Sequence, residues 1–90
     1  MTAVSREVRI ANRRGLHARA SAKFVSMASE LDATVEVEKD GQRVCGTSIM
    51  GLMMLGAAMG DTIIIHSEGT HADSALERLV GLVEDRFDEE

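Results

Sequence analysis

The chain has 90 residues, of which 44 % are hydrophobic, and its formal net charge is −5. This length is enough for one small domain, residues 1–90, and the hydrophobic content argues against intrinsic disorder. The acidic balance, with no cluster of Lys or Arg along the sequence, argues against nucleic acid and anionic membranes as partners, because both require a basic surface.

Two amphipathic segments are predicted in the first third of the chain. The segment VSREVRI alternates, with Val4, Val8 and Ile10 on one face, which predicts a half-buried strand. After the loop NRRG, apolar residues recur at helical spacing over residues 18–31. The stripe of this predicted helix consists of Ala20, Phe24, Met27, Ala28 and Leu31.

A hairpin and a short helix are predicted in the middle of the chain. The segment TVEVE alternates again, and the dipeptide Asp40-Gly41 is typical of a tight turn into a strand around residues 43–46. In the following segment, TSIMGLMMLGAAMGD, Ser48 is a candidate N-cap for a helix over residues 49–55. Gly56 is a candidate terminator of that helix.

A strand and a helix are predicted in the last third. The run TIIIH, residues 62–66, is continuously apolar and is typical of a central strand. Thr70 and Asp73 resemble a capping box for the last helix. The apolar stripe of this helix comprises Ala72, Ala75, Leu76, Leu79, Val80, Val83 and Phe87. The order β-α-β-β-α-β-α indicates an α+β fold, with one sheet and all helices on one of its faces.

Cysteine content and hydropathy indicate in which cellular compartment the protein is expected. Cys45 is the only cysteine, which excludes an internal disulfide and suits a reducing cytoplasm. We expect Cys45 to be a small core or sheet residue. The sequence shows no secretory leader, and no apolar run approaches the roughly 18 residues that a membrane helix needs. We therefore expect a soluble, cytoplasmic protein.

The segment GLHARASAKF, residues 15–24, places a histidine directly before the first predicted helix. Backbone N–H groups at a helix start are unpaired and carry partial positive charge, which disfavours imidazolium and leaves a nucleophilic nitrogen on His17. The same N–H groups and the guanidinium of Arg19 would bind a phosphoryl group on that nitrogen, and Gly15 would let the loop approach closely. The alternative from local sequence is a surface or capping histidine beside a solvated arginine.

These ten residues resemble the active-site segment of the HPr family, the histidine-containing phosphocarriers of the bacterial phosphotransferase system. The segment TSIMGLMMLGAAMGD is similar to the family's second signature, and the ending FDEE is similar to the nitrogen-related branch. The resemblance covers essentially the whole chain. It implies an open-faced βαββαβα sandwich, in which three helices cover one face of a four-stranded antiparallel sheet. One departure is Ala20, where the family most often has proline; alanine adds an N–H donor and gives up some rigidity.

The resemblance implies a phosphoryl carrier rather than a stand-alone enzyme. His17 would accept the phosphoryl group from phosphorylated enzyme I, or its nitrogen-branch counterpart, and pass it to a histidine of an enzyme IIA-type protein. In the family the δ1 ring nitrogen carries the group. Arg19 and the backbone N–H groups of Ala18 and Ala20 would bind it. We expect no metal, no other cofactor, and a monomeric chain.

The resemblance also implies roles for the short helix. Ser48 is an N-cap candidate in any case, and it corresponds to a regulatory site for an HPr serine kinase/phosphorylase. Family correspondence places Ile49, Met50 and Met53 on the exposed side near His17, where flexible methionine side chains suit successive docking partners. The alternative is that these residues belong to the core.

Two other functions stay open at this point. One is a non-catalytic regulatory adaptor whose partner binding is controlled by phosphorylation at His17 and Ser48. The other is a small-molecule-binding module of ferredoxin-like type, which would need a sizeable pocket in a core rich in Ala and Met. We expect His66 and His71 to be structural, because neither has metal-ligand spacing with Cys45.

Overall fold

The alternating and helical patterns of the sequence produce a structure of four strands and three helices in residues 2–89, the part of the chain that the computed structural model describes. The element bounds are β1 Ala3–Arg9, α1 Ala18–Glu30, β2 Thr34–Lys39, β3 Gln42–Cys45, α2 Ile49–Met54, β4 Thr62–Glu68 and α3 Ala72–Glu84. A 3₁₀ turn, Arg86–Asp88, follows α3. The predicted order of elements is confirmed.

The strands form one antiparallel sheet in the order β1-β4-β2-β3, with β4 in the interior as predicted. Val8 of β1 lies opposite Ile63, and Val37 of β2 lies opposite Ile65. These four side chains are buried, whereas Ile64 between the two isoleucines is half-buried. The continuous apolar run of β4 therefore turns only alternate residues toward the core, because the opposite face of the sheet is open.

The helices cover the other face of the sheet. Helix α3 packs across β1 and β4, α1 contacts both α2 and α3, and α2 also contacts β3. The largest fully buried side chains between these layers include Phe24, Leu52, Ile63, Ile65, Leu79 and Phe87. This arrangement is the predicted α+β open-faced sandwich. It brings α2 against α1 and joins the loop before α1 to the segment after α2 through the Leu16 amide and the Ala57 carbonyl.

The predicted capping box at the start of α3 is wrong. Helix α3 begins at Ala72, and its N-cap is His71, whose side chain makes no capping hydrogen bond. The first helical bond runs from the Ala75 amide to the His71 carbonyl at 3.0 Å, and the Ala72 amide bonds back to Gly69 at 3.3 Å. Thr70 is thereby held in the turn before the helix.

Phe87 is buried as predicted, but it does not belong to α3, which ends at Glu84. Arg86, Phe87 and Asp88 have positive φ angles of 58°, 53° and 61°. A left-handed backbone conformation costs about 1 kcal/mol or more per non-glycine residue. Burial of the phenylalanine side chain stabilises the fold by about 2 kcal/mol, which offsets part of the cost of the three residues. The turn redirects the chain toward α1.

Cys45 is an exposed residue of β3 and not a core residue. Its position in a strand at the sheet edge leaves the thiol on the surface. The sulfur lies 3.0 Å from Thr47 Oγ1, and this hydrogen bond lowers the pKa of the Cys45 thiol. None of the helices in residues 2–89 is both long enough and apolar enough to cross a membrane.

Candidate functional site

The loop before α1 is anchored on both sides of Gly15. The Gly15 amide donates to the Asn12 carbonyl at 3.2 Å, and the Leu16 amide donates to the Ala57 carbonyl at 2.9 Å. Leu16 is buried, and its own carbonyl accepts a 3.1 Å hydrogen bond from the hydroxyl of buried Ser21. These contacts fix where the next residue, His17, enters the helix.

His17 is the N-cap residue of α1, as the sequence predicted. Its backbone is extended, with φ −73° and ψ −179°, and its carbonyl accepts the first helical hydrogen bond from the Ser21 amide at 2.9 Å. The imidazole does not cap the helix. The amides of Ala18, Arg19 and Ala20 precede that first helical bond, so they are the donors that a helix start offers to an anion.

A contact that the sequence analysis missed joins the imidazole to Glu89. The Nε2 atom of His17 lies 2.5 Å from Oε2 of Glu89, and the two side chains are 22 % and 19 % exposed. The second oxygen, Oε1, accepts a 3.1 Å hydrogen bond from Nδ2 of Asn12. Nδ2 of Asn12, a buried residue, also donates to the Gly15 carbonyl at 2.8 Å. Of the ending FDEE, Glu90 lies outside the described residues.

Glu89 is held as a carboxylate by its neighbours. Burial opposes its ionisation, but the hydrogen bonds from His17 and Asn12, with the charges of His17 and Lys23, lower the pKa of the Glu89 carboxyl below its usual value. Lys23 also donates from Nζ to the Phe87 carbonyl at 2.7 Å, which ties the turn after α3 to α1. An ionised Glu89 can only accept hydrogen bonds.

Four basic side chains share a groove with Glu89, the residue that contacts the imidazole. Arg13, Arg14, Arg19 and Lys23 line an open groove of about 410 Å³ together with Asp88 and Glu89. Arg19 and Lys23 are one turn apart on α1, and the loop supplies the two other arginines. The folded chain thus brings together basic residues that the sequence keeps in two separate segments. Such a groove suits an anionic group on the ring.

Ser48 is the N-cap of α2, as predicted, and its Oγ accepts a 2.9 Å hydrogen bond from the Gly51 amide. The following residues Ile49, Met50 and Met53 are 40 %, 69 % and 41 % exposed, so the alternative that they are core residues is wrong. Met54 and Met59 are also exposed, and the sequence did not single them out as docking residues. Leu52 and Leu55 supply the buried side of α2.

The other histidines do not join this site. His66 lies on the open face of the sheet with Nε2 2.8 Å from Oε1 of Glu38. His71 is exposed, with Nε2 3.9 Å from Oδ2 of Asp32. Within residues 2–89, no three His, Cys, Asp or Glu side chains are grouped so that they could hold a metal ion.

Known proteins are similar to this chain over nearly its whole length. A family model described as "PTS HPr component phosphorylation site" matches residues 4–85. The phosphocarrier protein NPr of Shewanella violacea is 42 % identical over 89 residues, which is 99 % of this chain and 98 % of that protein. The phosphocarrier protein HPr of Pseudomonas aeruginosa is 46 % identical over 84 residues, which is 92 % of this chain and 93 % of that protein. The crystal structure of HPr-C-His from Thermoanaerobacter tengcongensis matches with a TM-score of 0.89 and 41 % identity. The match covers 100 % of this chain and 99 % of that chain.

Proposed function

Because the chain belongs to the HPr family of phosphocarrier proteins, we propose that His17 is the residue that carries the phosphoryl group. The donor in this proposal is phosphorylated enzyme I of a phosphotransferase system, and the acceptor is a histidine of an enzyme IIA-type protein. The reaction takes place in the cytoplasm. The relatives include both HPr and NPr proteins, and NPr is the nitrogen-related branch.

One observation supports the proposal: His17 is the N-cap of α1, and its ring contacts Glu89, which lines a groove together with four basic side chains. A group transferred between two nitrogens passes through a loose, metaphosphate-like state, so alignment and charge stabilisation matter more than acid–base chemistry. Arg19 and the amides of Ala18 and Ala20 are the groups that we assign to the phosphoryl oxygens.

Docking of the donor and the acceptor is assigned to the exposed residues Ile49, Met50 and Met53 of α2. Two observations support this assignment: helix α2 contacts α1, and these three side chains are exposed. Methionine side chains repack against different surfaces, which suits a carrier that must bind two partners in turn. Ser48, directly before these residues, is the proposed regulatory site for an HPr serine kinase/phosphorylase.

The test is to incubate the protein with enzyme I and phosphoenolpyruvate and to map the modified residue. A phosphoramidate that is labile in acid and stable in base should form on His17, and His17→Ala should accept none. The matched control is His66→Ala, which removes a histidine that also pairs with a glutamate but lies on the open sheet face. Label that persists in His17→Ala, or that is found on His66 or His71, contradicts the proposal.

The acceptor step separates a carrier from a regulatory adaptor. A carrier loses its label rapidly when an enzyme IIA-type protein is added, and the label appears on the acceptor. An adaptor that uses phosphorylation of His17 and Ser48 only to control binding keeps its label under the same conditions. Following the label on both proteins by acid-free gel analysis therefore decides between the two functions.

A further inference from the structure

We propose that Met50, Met53 and Met54 form an oxidation site on α2, where conversion of their thioethers to sulfoxides by a peroxide weakens docking of the phosphoryl donor. The proposal rests on the proposed function, in which exposed residues of α2 dock the partners. It adds a reversible chemical modification that controls docking without touching the chemistry at His17.

The three thioethers share one face of α2. Positions i, i+3 and i+4 of a helix lie on the same side, and Met50, Met53 and Met54 have this spacing within the helix. Met50 and Met54 are 69 % and 70 % exposed, and Met53 is 41 % exposed. Leu52 is fully buried and holds the helix against the core. A peroxide in solution can therefore reach all three methionine side chains without any opening of the fold.

Two other methionines of the described chain differ from these three in useful ways. Met27 of α1 is half-buried and packs against the core, so a peroxide has less access to its sulfur. Met59 is exposed, but it lies in the loop between α2 and β4 and not on the helix face. The α2 methionines should thus react before Met27, and Met59 serves as an exposed thioether outside the site.

The surroundings of α2 make a sulfoxide consequential for docking. Residues 44–60, the segment that contains α2, include no charged residue. A thioether sulfur is a weak acceptor, whereas a sulfoxide is a polar, chiral group. Water solvates a sulfoxide on the free surface, so the fold loses nothing. An apolar partner surface that covers the sulfoxide removes this water without replacing its hydrogen bonds, and docking becomes weaker.

The modification is balanced with hydrogen peroxide as the oxidant. A lone pair of the methionine sulfur forms a bond to one peroxide oxygen while the O–O bond breaks. The departing hydroxide takes up the proton of the transferred oxygen and leaves as water. Sulfur is oxidised by two electrons and the peroxide is reduced by two. Methionine sulfoxide reductases, one for each sulfoxide epimer, reverse the step with electrons from thiols, and the oxygen leaves as water.

Cys45 is a further sulfur atom that a peroxide can reach. Its thiol is exposed, and the hydrogen bond with Thr47 lowers the pKa of the thiol, which favours the reactive thiolate. The measurements are therefore made in a Cys45→Ser parent protein, in which methionine is the remaining sulfur-containing residue. This replacement changes a surface side chain of β3 and leaves α2 and His17 as they are.

The experiment joins mapping of the sulfoxides to transfer kinetics. The parent protein is treated with hydrogen peroxide, and peptide mass spectrometry should find sulfoxides at Met50, Met53 and Met54 before Met27. The KM for the carrier in transfer from enzyme I should rise on the order of tenfold, with little change in kcat. Both sulfoxide reductases together should return the KM to its value before treatment. The melting temperature should stay unchanged, because the modified side chains lie outside the core.

Two variants of the parent locate the effect, and each is compared with itself before and after peroxide. The triple variant Met50→Leu, Met53→Leu and Met54→Leu has no thioether on α2, so peroxide should leave its KM where it was. Met59→Leu keeps the three α2 thioethers and removes the exposed one outside the helix. Its KM should rise with peroxide as much as that of the parent.

Several results overturn the proposal, and they separate it from the function on which it rests. If Met27 reacts before the α2 methionines, if the fully oxidised protein keeps its KM, or if the triple variant responds like the parent, the oxidation site is wrong and the carrier function stands. A rise in KM that accompanies a lowered melting temperature also contradicts it, since unfolding then explains the loss. If the untreated protein takes up no phosphoryl group from enzyme I, the carrier function fails, and control of docking fails with it.

Discussion

The α-carbon of Gly15 lies against the backbone of Ala57, with no room for a side chain between them. A Cβ atom on Gly15 would lie 2.9 Å from Cα of Ala58 and closer still to the Ala57 carbonyl oxygen, and Gly15 has a φ of +63°. The same carbonyl accepts the hydrogen bond from the Leu16 amide. This contact joins the loop before His17 to the segment after α2, and so links the proposed phosphoryl site to the helix whose exposed residues are proposed for docking.

Gly15→Ala should lower the stability of the protein through steric overlap as well as backbone strain. Gly41→Ala is the matched control, because Gly41 also has a positive φ, +84°, but no atom lies within 4 Å of a Cβ placed there. Strain alone should cost about 1 kcal/mol in the control, and overlap should add about 2 kcal/mol at Gly15. Urea unfolding of both variants measures the difference. Equal losses would show that the close approach to Ala57 has no energetic consequence.

Arg19→Ala should slow phosphoryl transfer on the order of a hundredfold while the fold stays intact, because one charge-assisted donor to the phosphoryl oxygens is lost. Arg19→Lys should restore part of the rate, since an ammonium keeps the charge but lacks the planar pair of donors. Transfer from enzyme I is measured for each variant, with Arg43→Ala, an exposed arginine paired with Glu36 on the open face, as the control. Wild-type transfer kinetics in Arg19→Ala would show that Arg19 is a surface charge without a role in transfer.

Ser48→Asp should keep or slightly raise the melting temperature, because a negative charge at the start of α2 meets free N–H groups and the positive end of the helix. Ser48→Ala should lose about 1 kcal/mol of stability, since the Gly51 amide loses its acceptor. Transfer from enzyme I should fall in Ser48→Asp through a raised KM, because the charge lies beside Ile49, Met50 and Met53. If Ser48→Asp accepts phosphate as readily as wild type, Ser48 is a cap and not a switch.

The contact of Glu89 should make stability depend on pH. The folded-state pKa of this carboxyl is lowered from its ordinary value of 4.5, so its contribution to stability is present above pH 4.5 and is lost as the pH falls through the lowered value. Wild type should melt at a higher temperature than Glu89→Gln near pH 7, and the two curves should converge in acid. Melting temperatures of both proteins across this range provide the check. A difference that grows on acidification below pH 4.5 would contradict the assigned direction.

Local sequence patterns determined most of the fold. Alternation predicted the strands, helical spacing predicted α1 and α3, and Asp40-Gly41 predicted the hairpin, because each rule acts between residues that are close in sequence. The placement of His17 at a helix start and the cap by Ser48 are local for the same reason. Two local predictions were wrong, and each has a local reason. The Ala72 amide bonds to the Gly69 carbonyl, which leaves Thr70 in the turn before α3. Phe87 continues the helical spacing of α3, but its backbone is left-handed and lies after the end of that helix.

The tertiary structure alone decided the surroundings of His17. Glu89 is 72 residues from His17 and 77 residues from Asn12 in sequence, and no periodicity or motif connects them. The groove of basic residues likewise combines the loop before α1, the helix itself and the end of the chain, which are separate in sequence. The sequence by itself singled out His17 as the candidate nucleophile and located its helix, because capping and helical spacing are encoded within a few residues. The contact of His17 with Glu89 follows a turn whose Phe87 is buried in the shared core, and such packing is determined by the whole chain.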